Sequence, residues 1–255
     1  MKIAVTGKGG VGKSTIVALM ARILRDFGNK VFVVDADPDM NLAGILGVPE
    51  SYSITPIIEL KELMAERTGT EVGKPAPFFT MNPKVDDIPE KYCVEHQGIK
   101  LLVMGTVQKG GGGCACPENA FLKSLLSHLV IARKEWVILD MEAGIEHLGR
   151  GTALGVDEMV IVVEPSQASI DTAKRIKKLS SDIGLTHLRI IGNKIQNSSE
   201  KKFLVENLID FESIGFLDFS DEIKKINMKE ASALDIEGNS VIQMTHLLES
   251  AGWKN

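Results

Sequence analysis

The sequence predicts a doubly wound α/β fold with a mostly parallel sheet of about seven to eight strands. Three observations predict it. Short, continuously apolar, β-branched runs recur along the chain, and stretches with helical spacing separate them. A glycine-rich loop joins the first apolar run to the first helical stretch. Strands buried on both faces of a parallel sheet read as unbroken apolar runs, whereas half-exposed strands alternate. The candidate strands are residues 2–6, 30–34, 100–104, 136–140, 158–163, 189–192 and 212–215.

Between the first two runs, Ile16, Leu19, Met20, Ile23, Leu24 and Phe27 repeat at i, i+3, i+4 and i+7, which predicts a helix over 13–27. Residues 168–183 and 240–251 are further helix candidates. Residues 51–98 break the rhythm, with Pro56, Pro75, Pro77, Pro83 and Pro89 crowded into them. This segment reads as an insertion carrying one helix (57–68) and a loosely structured or hairpin part. The sheet resumes at Lys100, so residues 1–255 are expected to form a single domain.

The formal net charge is −5 and the sequence pI about 5.6, which argues against a broad nucleic-acid surface. No basic stretch followed by an apolar one opens the chain, and no run approaches ~18 apolar residues. A cytoplasmic protein without a membrane span is therefore expected. Three cysteines in such a chain are not a disulfide framework.

The loop Gly7-Lys8-Gly9-Gly10-Val11-Gly12-Lys13-Ser14-Thr15 has the setting that phosphate binding requires, a strand before it and a helix after it. Its glycines let backbone N–H groups point at phosphate oxygens, and the helix N-terminus adds partial positive charge. Lys13 supplies a point charge for the β- and γ-phosphates, and Ser14 offers a hydroxyl to Mg2+. Two more clusters follow strand ends: Asp35-Ala36-Asp37-Pro38-Asp39-Met40-Asn41, and Asp140-Met141-Glu142-Ala143-Gly144. Carboxylates at such positions hold Mg2+ through water or orient an attacking water.

Lys8 is a lysine that an ordinary phosphate loop does not need. With it, the sequence resembles the deviant Walker A ATPases, whose loop reads GKGGxGK[ST], and the resemblance runs through the whole chain in motif order. It implies a P-loop NTPase fold and Mg2+-dependent hydrolysis of ATP to ADP and phosphate. It also implies a nucleotide-dependent homodimer in which Lys8 reaches the partner's phosphates. By the same resemblance Lys8, Lys13 and Asp37 are catalytic, with Asp37 positioning the nucleophilic water. Gly9, Gly10, Val11, Gly12, Lys13, Ser14 and Thr15 cradle the phosphates. Asp140 binds Mg2+ through a water, as Ser14 does directly, and Gly144 approaches the γ-phosphate. Asn193, Lys194 and Pro165 lie about the base, Asn193 reading the adenine edge. Asp35 and Asp39 are weaker candidates than Asp37.

Gly110–Gly113 lead into Cys114-Ala115-Cys116-Pro117. Two thiolates one residue apart are half of a tetrahedral site, and two chains at a twofold axis supply four. Soft thiolates suit Zn2+, Cu(I), iron–sulfur clusters or square-planar Ni2+. The run from Lys109 to Asn119 and the run from Asp140 through Ile145, Glu146 and His147 are similar to those of CooC-type ATPases, which help to insert nickel into carbon monoxide dehydrogenase. That resemblance implies Ni2+ or Zn2+ held by Cys114 and Cys116 of two subunits, with carbon monoxide dehydrogenase as client or, equally, acetyl-CoA synthase. Rival members of the wider family are positioning ATPases on membrane or DNA and iron–sulfur electron carriers. The membrane branch is disfavoured because residues 240–251 contain no Lys or Arg, and the DNA branch because the net charge is −5. Cys93, His96 and His128 read as structural, and Glu146 and His147 as surface or nucleotide-coupled groups.

Overall fold

The computed structural model describes residues 1–106, 116–142, 153 and 155–254. Its centre is an eight-stranded sheet. In chain order the strands are β1 (Lys2–Gly7), β2 (Val31–Ala36), β3 (Val94–His96), β4 (Ile99–Val103), β5 (Trp136–Met141), β6 (Glu158–Val163), β7 (Leu188–Ile195) and β8 (Glu212–Asp218). Their order across the sheet is β3-β4-β2-β5-β1-β6-β7-β8. Every pairing is parallel except β3 with β4.

The apolar runs form the interior strands because helices cover both faces. β1, β2 and β5 are buried at every residue. Ile3, Val5, Val31, Val33, Ile138, Val160 and Val162 face one core. Ala4, Phe32, Val34, Leu139, Ile161 and Val163 face the other. The first core receives α1 (Lys13–Asp26), α2 (Leu42–Ile45), α8 (Asp221–Asn227) and α9 (Asn239–Ser250). The second receives α3 (Lys61–Thr68), α4 (Ile88–Tyr92), α5 (Pro117–Ile131), α6 (Gln167–Asp182) and α7 (Ser198–Asn207). The wide apolar arc of α5, with Phe121, Leu122, Leu125, Leu126 and Leu129 all buried, explains why helical spacing does not single it out.

Each of the seven expected strands is present, most extended by one to three residues. The eighth lies inside the inserted segment. β3 and β4 are joined by Gln97 (φ 46°) and Gly98 (φ 78°), two successive left-handed residues. That is the turn a two-residue hairpin favours. The helix expected over 57–68 is divided. Ile57–Glu59 form a 3-10 turn whose Ile58 N–H donates to the Met104 carbonyl at 3.1 Å. Leu60 (φ −79°, ψ 63°) then leaves helical geometry before α3 begins. The contact docks this 3-10 turn on the chain just after β4, and the break itself falls at Leu60.

β1 lies where the chain's path across the sheet reverses: β2, β4 and β5 are laid on one side of it and β6, β7 and β8 on the other. Open α/β sheets bind ligands at the carboxyl ends of their strands at such a point. The glycine-rich loop leaves β1 there.

Candidate functional site

A cavity of about 900 Å3 opens over the carboxyl ends of these strands, a volume suited to a nucleotide-sized ligand. Gly9, Gly10, Gly12, Lys13, Ser14 and Thr15 line it from the loop and the first turn of α1. Val11 instead buries its side chain in the core and turns its carbonyl to Asn193. Asn193, on β7, donates from Nδ2 to that carbonyl at 2.8 Å. Gly12 has a left-handed φ of 97°, and a Cβ there would stand 2.6 Å from Asn193 Nδ2. The residue type is therefore fixed by backbone conformation and by close approach together.

Lys13 is nearly buried and extends to Asp37, with Nζ 3.6 Å from Oδ2. Asp37 also folds its own loop, since Oδ1 accepts from the Asp39 N–H at 3.0 Å. Asp39 and Asn41 line the cavity from the same loop. Asp35 does different work. It is fully buried, and its carboxylate accepts from Leu42 N–H at 3.0 Å and from Asp37 N–H at 3.3 Å. It thus fixes the turn that presents Asp37.

Asp140 is Asp35's partner in register on the adjacent strand. It too is fully buried, and neither of its carboxylate oxygens has a hydrogen-bond partner among the described residues. Burial, then the neighbouring Asp35 charge, pushes its carboxyl up to about 8, while the nearby Ser14 hydroxyl and Lys13 pull the other way. Burial likewise raises Asp35 to about 6, opposed by its two backbone hydrogen bonds. Two adjacent buried carboxyls, one with both oxygens orphaned and a serine hydroxyl beside it, fit a divalent cation. Thr6 Oγ1 donates to the Glu142 carbonyl at 2.8 Å, tying the loop's strand to the segment that follows Asp140.

Lys194 has a left-handed φ of 61° where the β7–β8 register shifts. A bulge re-aims a side chain, and here Lys194 Nζ donates to the Gly10 carbonyl at 2.6 Å and to Glu164 Oε2 at 3.1 Å. Lys8 approaches the same carboxylate, with Nζ 3.6 Å from Oε1. Pro165 follows Glu164 and is not part of the cavity lining. Asn193 Oδ1 is buried without a hydrogen-bond partner among the described residues, an acceptor left over beside the cavity.

The structure also brings in residues that the sequence reading did not single out. Asp218, Phe219 and Ser220 line the cavity from the end of β8, with Lys224 and Asn227 of α8 and Tyr52 of the inserted segment. The strand expected over 212–215 runs on to Asp218, which places that residue at its carboxyl end, the position from which parallel sheets reach ligands.

Cys114, Gly144, Glu146, His147 and Gly110–Gly113 lie outside the described residues. Cys116 is described. It precedes α5 as its N-cap residue, half-buried, and burial raises its thiol pKa. Among the described residues no group of three or more His, Cys, Asp and Glu side chains forms a metal site. Cys93 is half-buried against the second core, with its thiol also raised by burial. His96 pairs with Ile99 in the hairpin, and His128 lies in the last turn of α5. No helix among the described residues is long and apolar enough to cross a membrane.

Comparison with known proteins agrees with this geometry. Residues 2–233 match the CobQ/CobB/MinD/ParA nucleotide binding domain. The chain is 47% identical over 238 residues to the carbon monoxide dehydrogenase accessory protein CooC of Rhodospirillum rubrum, covering 92% of this chain and 90% of that one. It is 44% identical over 246 residues to an uncharacterized ATP-binding protein of Methanocaldococcus jannaschii, covering 93% and 95%. Among solved structures, the MinC:MinD cell division complex of Aquifex aeolicus superposes with a TM-score of 0.70 at 22% identity, covering 100% of this chain and 96% of that one. That likeness speaks for the fold. With a phosphate loop on β1, a buried acid pair at the ends of β2 and β5, and a family match across most of its length, the chain belongs to the CobQ/CobB/MinD/ParA family of nucleotide-binding P-loop ATPases.

Proposed function

We propose that this protein is an ATP-hydrolysing metallochaperone that binds Ni(II), or Zn(II), between two subunits and assists nickel insertion into carbon monoxide dehydrogenase. The observation that carries the reading is the 47% identity, over 92% of the chain, to a protein named for an accessory role to that enzyme.

Each described residue has a part in hydrolysis. Lys13 meets the β- and γ-phosphates with a nearly buried ammonium, where charge is poorly screened. An incoming phosphate competes with Asp37 for Lys13. The Asp37 carboxylate is then free to accept a hydrogen bond from the attacking water and hold it in line. Asp35 keeps Asp37 in place through the two backbone bonds of its loop. Ser14 and Asp140 would hold Mg2+, which when bound neutralises phosphate charge. Asn193 Oδ1 is an acceptor suited to an amino group such as the exocyclic one of adenine. Lys8 completes the site of a second subunit and stabilises charge on the transferring phosphoryl group.

Closure of the homodimer then joins two Cys114–Cys116 pairs into a four-thiolate site for the cargo metal, and hydrolysis loosens the dimer for transfer to the client. ATP drives this only so far as it favours the closed dimer over the open one. The test is nickel titration with ADP and with a non-hydrolysable ATP analogue. The expected result is one metal per two chains, bound more tightly with the analogue, and no such binding in Cys114→Ser/Cys116→Ser. Unchanged binding in that variant overturns the metal role, and maturation of acetyl-CoA synthase in place of carbon monoxide dehydrogenase overturns the client assignment.

A further inference from the structure

Glu164 stands between two lysines with different duties. It follows β6 directly, and its backbone is fixed there: its N–H donates to Ser169 Oγ at 3.1 Å and its carbonyl accepts from Ser166 N–H at 2.7 Å. Its carboxylate is mostly covered, at 22% exposure, and each oxygen faces one ammonium. Oε2 accepts from Lys194 at 3.1 Å, and Lys194 pins the phosphate loop through the Gly10 carbonyl at 2.6 Å. Oε1 lies 3.6 Å from Lys8, the loop lysine whose side chain remains 40% exposed.

Lys8 cannot rest on Glu164 of its own chain and at the same time reach a phosphate in a second chain. We propose that Glu164 is a positioning residue that latches Lys8 in cis, so that closure of the nucleotide-bound dimer must first release this lysine. The proposal rests on the reading above in which Lys8 acts in trans. The geometry also supplies what makes release easy. Lys194 stays on the same carboxylate when Lys8 leaves, so Glu164 does not become a mostly covered charge without a partner. Lys194 in turn is held by the bulge in β7 and by the loop carbonyl, not by Glu164 alone. The latch therefore tunes the dimer equilibrium and does not block it. A half-exposed ammonium 3.6 Å from a carboxylate is screened by water, so the effect is a few-fold one.

The experiment is sedimentation equilibrium of the full chain with Mg2+ and a non-hydrolysable ATP analogue, in wild type, Glu164→Gln and Lys8→Ala. Glu164→Gln removes the charge at nearly constant shape. It is expected to lower the half-dimerisation concentration about two- to fivefold at low salt, and the difference is expected to shrink near 0.5 M salt as the pair is screened. A structural role alone predicts the opposite sign, a weaker dimer with a lower melting temperature and no dependence on salt. An unchanged or raised half-dimerisation concentration in Glu164→Gln, while Lys8→Ala fails to dimerise, overturns the latch and leaves the trans role standing. Dimerisation of Lys8→Ala at the wild-type concentration overturns the trans role and the latch with it.

Discussion

Asp37 and the Asp35–Asp140 pair divide the acid chemistry of the cavity by burial. Asp37 is partly exposed and touches Lys13, the group that phosphate would claim. Asp37→Asn keeps the shape and the Asp39 N–H contact but weakens the acceptor proposed to orient water. Its kcat is expected to fall about 10²-fold or more with the nucleotide dissociation constant within a few-fold of wild type. A parallel loss of nucleotide binding would make Asp37 a binding residue instead. Asp35 and Asp140 are fully buried, and their carboxyls are raised to about 6 and about 8. An unfolded aspartate titrates near 4. Between those values the folded chain holds more protons than the unfolded one, so stability falls as pH rises. The contribution is complete below about pH 4 and is lost as pH climbs through the folded values, at up to about 1.4 kcal/mol per pH unit for each group. Calorimetry of the nucleotide-free, Mg2+-free protein is expected to show a melting temperature that declines from pH 5.5 to 8.5. Asp140→Asn should flatten that decline, and equal slopes in the two proteins would remove the argument. These acids were legible in the sequence because each ends an apolar run. Their different duties were not, because only the register of β2 against β5 makes Asp35 and Asp140 neighbours.

At the scale of elements, the legible parts are those with one dominant physical demand. Strands buried on both faces must be apolar throughout, and β1, β2 and β5, buried at every residue, meet that demand in full, while the edge strand β8 (Glu212–Asp218) is largely exposed. The loop after β1 must bring backbone amides to phosphate, and its glycines announce it. Elements answering to two demands were harder to read. The segment 57–68 has helical composition, yet it is divided at Leu60 (φ −79°, ψ 63°), after a 3-10 turn that docks on the Met104 carbonyl. β3 is only three residues long, Val-Glu-His, with neither face deeply buried, so it carries no pattern to read. Its signal lies in the turn, since Gly98 sits at φ 78° after Gln97 at 46°. A side chain in that left-handed region costs roughly 1–2 kcal/mol. Gly98→Val is therefore expected to lower the melting temperature by several degrees while leaving ATP turnover at a permissive temperature near wild type, because the hairpin stands at the sheet edge away from β1. A large loss of turnover with an unchanged melting temperature would show that the inserted segment acts on the site. The cavity residues missed in the sequence, Asp218, Phe219 and Asn227, share a cause with β3: ordinary residue types made functional by where a distant strand ends.

For the whole molecule, the proposed function couples two ligands through one dimer, and thermodynamics makes that coupling reciprocal. Cys116 stands at the start of α5, on β4's side of β1, while Lys8, Glu164 and Lys194 lie toward β6 and β7. Under the proposed function nucleotide and metal would engage different parts of the chain, and the element they would share is the closed pair of subunits. If a monomer offers two thiolates and a closed dimer four, the metal binds the dimer more tightly by some factor. By the thermodynamic cycle a metal-loaded monomer must then associate with an empty one more tightly, by that same factor, than two empty monomers do. A tenfold factor is about 1.4 kcal/mol, and couplings between sites commonly run to 1–3 kcal/mol. Two independent measurements close the cycle. Nickel affinity is measured with the ATP analogue above and below the half-dimerisation concentration, and the half-dimerisation concentration is measured with and without nickel. Nickel at one ion per two chains is expected to lower the half-dimerisation concentration in step with its tighter binding above that concentration, and both effects are expected to vanish in Cys114→Ser/Cys116→Ser, where nucleotide-dependent dimerisation itself persists. Equal nickel affinity in monomer and dimer would sever metal binding from closure, and would leave ATP hydrolysis without a mechanical route to the cargo.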